Sequence, residues 1–152
     1  MELSDFMELS DFIALVALVI SIYSIWAQNK GVKQELLITN ISEYTKRYQE
    51  IFEKLPKMVL DENFDVNSLS DADKEGVVRP VWLYFDLCYE QYLLHYELDI
   101  VDKKLWKYWE AGMVSAFSRP SFYICWNIIN GISAYPRNFT NFVNHKMSQL
   151  HN

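Results

Sequence analysis

An uninterrupted apolar run, FIALVALVISIYSIWA from Phe12 to Ala27, constrains this chain more than any other feature. It holds no charge, no Gly and no Pro, and its polar members are two serines and a tyrosine. As a helix it covers about 24 Å, short of the roughly 30 Å hydrocarbon core of a bilayer, and Met7 and Leu9 can extend it at the N-terminal side. A cleaved signal peptide would want a positive leader and a small-residue cleavage site. Here Glu2, Asp5, Glu8 and Asp11 precede the run and a charged helix follows it. The remaining alternative for a run of this length is a buried core helix. The reading adopted is one N-terminal transmembrane helix.

Lys30 and Lys33 follow the run directly, with Lys46, Arg47 and Lys54 beyond. The positive-inside rule then places the N-terminus outside and the remaining chain in the cytoplasm. Tyr23 and Trp26 sit near the cytoplasmic end, where amphipathic rings favour the headgroup level. Within the run, Ser10, Ala14, Ala17, Ser21, Ser24 and Gln28 alternate steps of four and three and so share one helix face. In lipid, such a stripe lets helix backbones approach closely. With a single span, the stripe must meet another protein or another copy, and homo-oligomerisation is the economical expectation. In a ring of copies the same face lines a pore; in a dimer it is a close contact.

Beyond the run the chain reads as all-α, with four Gly and four Pro in 152 residues. Only Gly31 interrupts good helix formers between Phe12 and Leu55, so the membrane helix is expected to continue until Pro56 ends it. An acidic stretch at about 61–76 reads as a surface loop, with Ser70 and Asp73 as candidate helix starts. Helices are then expected through Trp82 to Tyr96, from Asp102 to a stop at Pro120, around Phe122 to Ile129, and from near Pro136 to Met147. The predicted organisation is residues 1–29 as acidic N-terminus and membrane helix, and residues 30–152 as a cytoplasmic bundle of about four or five helices.

Four of the six net negative charges are carried by the acids before the apolar run. The rest is nearly neutral, which gives no basic field for DNA, and no DNA partner is expected. Lys103, Lys104 and Lys107 read as a solvated helix face. Cys88 and Cys125 lack metal or redox spacing and read as buried thiols. Phosphate-loop, zinc-protease and hydrolase motifs are absent, so no cofactor, metal or enzyme activity is expected. One pair stands out. Helical nucleases of the prokaryotic defence type cleave RNA with an Arg and a His at shorter spacing, and Arg137 and His145 are separated here by seven residues. On one helix that offset turns the pair by about 80° and separates it by about 12 Å, poor geometry for a shared phosphate.

The stretch HYELDIVDKKLWKYWEAGMVSAFSRPSFYICW, His95 to Trp126, resembles a motif of small bacterial single-span proteins: an acid-rich turn, two tryptophans, a Pro-x-Phe break and a final Trp. The whole layout is similar to the membrane accessory protein of type VI-B RNA-targeting CRISPR systems. That resemblance implies an inner-membrane, multi-subunit pore that strengthens antiphage defence beside an RNA-guided effector, with a soluble domain related to the helical nuclease fold. It brings no catalytic residue with it. A membrane-tethered, RNA-binding nuclease-like domain and a plain membrane anchor for a cytoplasmic partner stay open as alternatives.

Overall fold

The computed structural model of the chain describes the backbone of residues 3–61 and 63–151, and the side chains of residues 17–61 and 63–151. It is all-helical, with no strand among the described residues. The order is α1 (Leu3–Lys54), two short 3-10 turns (Lys57–Leu60 and Val66–Ser68), α2 (Asp71–Tyr96), α3 (Lys103–Phe117), α4 (Pro120–Ile132) and α5 (Arg137–Leu150). Contacts divide the chain into Met1–Ile41, which contains only the first part of α1, and Ser42–Asn152.

Each helix boundary follows from local chemistry. α1 runs through Gly31, where an added Cβ would meet nothing within 4 Å, and stops two residues before Pro56, whose ψ of 133° is extended. The acidic loop is shorter than the sequence suggested, because α2 already begins at Asp71. Ser70 caps it: its Oγ accepts from the Asp73 amide at 3.3 Å and donates to the Asp73 carboxylate at 2.6 Å. Asp71 and Asp73 in the first turn also suit the positive end of the helix. Pro80 lies buried inside α2, where its missing N–H removes the helical bond to the Gly76 carbonyl. The α2–α3 turn places Asp99 at φ 49°, and the Asp102 carboxylate then accepts from the Leu105 amide at 2.8 Å to start α3. Pro120 occupies the first position of α4 rather than merely stopping α3, the site where a missing N–H is harmless.

The core of the Ser42–Asn152 unit is aromatic. Phe85 of α2 is fully buried with its ring centroid 4.7 Å from Trp126 and 5.4 Å from Phe117. Phe139 of α5, also fully buried, gathers Tyr89, Tyr92 and Tyr135. Trp126 joins the two groups, edge-on to Phe139 at 6.2 Å, and donates its indole N–H to Asn144 at 2.7 Å. Such pairs add about 0.5–1.5 kcal/mol each beyond the area they bury. His95 stacks on Trp106 at 4.7 Å and donates its Nδ1 proton to the Val101 carbonyl at 2.8 Å, a structural histidine at the core edge.

The last turns of α1 contribute Tyr44 and Ile51 to this core, and Leu55 just beyond the helix joins them, all buried. Glu90 of α2 receives Tyr44 Oη at 3.2 Å and both terminal nitrogens of Arg47, at 2.5 and 2.8 Å. Burial, then the Glu90 charge, raises the Tyr44 phenol above its ordinary range and keeps it a donor.

Candidate functional site

The residues of α1 from Ala17 to Trp26 bury almost nothing within the chain. Leu18, Val19, Ile20, Ile22, Ile25 and Trp26 each keep between 58% and 60% of their surface exposed. Successive side chains on a helix point 100° apart, so these six with Tyr23 spread over about 220° of the cylinder, and the remaining arc carries Ala17, Ser21, Ser24 and Gln28. A helix with so broad an apolar arc buries it in a core or a bilayer. Among the described residues, no core encloses Leu18 to Trp26. Among the described residues, however, no helix is long and apolar enough to cross a membrane. The side chains of Phe12 to Val16, the first part of the apolar run, lie outside the described residues.

Of the six residues on the small-residue face, Ala17, Ser21 and Gln28 are exposed and Ser24 is half-buried. The side chains of Ser10 and Ala14 lie outside those described. Ser21 donates its hydroxyl to the Ala17 carbonyl at 2.8 Å, one turn back. Its polar group is therefore satisfied within the helix, compatible with an apolar neighbour or with water. At the C-terminal end of the run the Tyr23 and Trp26 rings lie 6.1 Å apart, and the Lys30 ammonium sits 5.5 Å from the Trp26 centroid. Two amphipathic rings and a cation thus mark one end of the apolar cylinder.

The other sequence-derived residues converge on nothing. Arg137 opens α5 and His145 lies two turns later; both are exposed, and among the described residues no contact joins them. The His145 Nε2 instead lies 3.3 Å from the Gln149 amide nitrogen. Lys103, Lys104 and Lys107 are exposed on α3. Among the described residues no three His, Cys, Asp or Glu side chains gather where a metal ion would fit. Cys88 and Cys125 are free and buried. Burial pushes the Cys125 thiol up to about 12 and raises that of Cys88 as well, so neither is a nucleophile near neutral pH.

One feature escaped the sequence reading. Tyr48 and Phe52 of α1 face Gly112 and Ala116 of α3 across a pocket of about 150 Å³, with Tyr84 and Arg119 also in its wall. The small residues recur at the helical spacing of four, but their significance depends on which aromatic side chains stand opposite. Compared with known proteins, the chain matches no family model, no curated protein and no solved structure.

Proposed function

We propose that α1 inserts the Phe12–Ala27 run into a bilayer, that copies associate through the face of Ala17, Ser21, Ser24 and Gln28, and that the assembly permeabilises the membrane. The observation that carries the reading is the uncovered apolar surface around Leu18 to Trp26. Exposing that much apolar surface to water opposes a stable isolated chain, whereas hydrocarbon removes the penalty. The Tyr23, Trp26 and Lys30 group supports a bilayer boundary at that end, and Lys30 and Lys33 support a cytoplasmic C-terminal domain. The resemblance of the sequence layout to the CRISPR accessory protein extends the proposal to antiphage defence beside an RNA-guided effector in a bacterial inner membrane.

The test separates pore from anchor. Ser21→Leu and Ser24→Leu keep insertion favourable but narrow or dewet a pore, so dye uptake by expressing cells should fall while oligomer size in neutral detergent is retained. Val19→Leu, on the opposite face, should leave uptake unchanged. Loss of the oligomer in both Leu variants would indicate a close helix contact instead. If the native protein never depolarises cells, with phage and effector present, the pore is excluded and the anchor reading stands.

A further inference from the structure

We propose that the pocket between the end of α1 and α3 binds a small amphiphilic monoanion, a carboxylate carrying one aromatic ring or a short alkyl chain. The argument lies wholly within the Ser42–Asn152 unit and is independent of the membrane reading.

The pocket is lined mostly by apolar side chains. Tyr48, Phe52 and Tyr84 form an aromatic wall, with Tyr48 and Phe52 stacked at 5.7 Å and Tyr84 edge-on to Tyr48 at 6.3 Å. Opposite them Gly112 and Ala116 leave the space open, and a Cβ built on Gly112 would meet nothing within 4 Å. A volume of about 150 Å³ lined this way accommodates a benzene-sized group. Rings together with small residues in the lining make a slot for something flat or thin.

The rim specifies charge. Arg119 is half-buried in the pocket wall, and its Nη1 donates to the Leu60 carbonyl at 2.5 Å, which fixes the guanidinium. That bond uses one of the five guanidinium N–H donors. No carboxylate lines the pocket, no ion pair to Arg119 forms among the described residues, and the first turn of α4, which Arg119 precedes, contains no acid. A fixed guanidinium beside an apolar slot recognises a carboxylate through charge-assisted hydrogen bonds while the slot takes the apolar end. A neutral ligand would gain only the slot, and an ion without an apolar end only the rim.

The experiment uses the full chain in a non-ionic detergent and follows 4-fluorobenzoate by fluorine NMR, with 4-fluorobenzyl alcohol as the neutral counterpart and hexanoate as competitor. Saturable broadening by 4-fluorobenzoate, relieved by hexanoate, is expected. The alcohol should bind about tenfold more weakly or worse, as should the benzoate to Arg119→Gln. Gly112→Leu fills the slot from a position where the backbone has room and should abolish binding with the fold retained, so the test does not depend on the arginine variant folding. Absence of saturable binding, equal affinity for acid and alcohol, or binding unchanged in Gly112→Leu would each overturn the proposal.

Discussion

Lys30 lays its ammonium 5.5 Å from the centre of the Trp26 ring, one helical turn before it on α1. The pair fixes a positive charge against the last large apolar residue of the run. Replacing Lys30 and Lys33 by Glu should therefore weaken or scramble orientation in a membrane. A reporter fused after Asn152 is expected to read cytoplasmic in the native chain and mixed in the double variant. A periplasmic signal from the native fusion would overturn the proposed topology.

Gly31 is a helical residue whose missing side chain costs order and leaves open space. Gly31→Ala should stabilise α1 by up to about 1 kcal/mol, measured as higher helicity by circular dichroism on heating. Gly31→Pro should break the helix and damage function while membrane insertion persists. Full activity of the proline variant would mean that a continuous α1 is not required.

Phe85 touches Phe117, Phe122 and Trp126 and is fully buried. Phe85→Ala should cost about 3–5 kcal/mol in chemical denaturation, from lost burial and the cavity left behind. Tyr108→Ala, at an exposed position of α3, should change stability by less than about 0.5 kcal/mol. Equal effects would contradict the packing described.

Alkali should destabilise the Ser42–Asn152 unit. Burial raises Cys88, Cys125, Tyr44, Tyr84 and Tyr135, each already a weak acid. In the unfolded chain a thiol loses its proton near pH 9, whereas folded Cys125 holds it to about 12. The stabilisation is thus fully present below pH 9 and lost as pH rises through that window, at up to about 1.4 kcal/mol per pH unit for each thiol. Denaturation midpoints should fall steadily from pH 9 to 11, with a shallower fall in Cys125→Ala. A flat profile over that range would contradict the buried thiols.

Helix boundaries were legible wherever one residue carries the signal. Pro56, Asp102 and Pro136 mark ends because a missing N–H or a carboxylate acts within one turn. The start of α2 was blurred, since Ser70 and Asp73 are both good caps and only their mutual hydrogen bond decides which one acts. Pro80 falls inside a pattern that otherwise reads as helix, and α2 continues through it. Long-range partners were not legible at all: Glu90 meets Tyr44 and Arg47 across more than 40 positions. The small-residue face of α1 could be read from spacing, whereas the Arg119 pocket required knowing that α3 sets Gly112 opposite Tyr48.

Both native thiols are enclosed, Cys125 with no exposed surface and Cys88 with 1%. The folded chain is consequently silent toward alkylating reagents at neutral pH without any cysteine having to be removed. A single cysteine placed at Ser21, Ser24 or Ile20 would then be the one reactive group, and its labelling rate would record water at that point of α1. Scanned residue by residue along the helix, a wet face would label with helical periodicity, while hydrocarbon or a dry protein contact would leave every position slow. The silence of the core thus turns the native sequence into a ready background for mapping what surrounds the apolar helix.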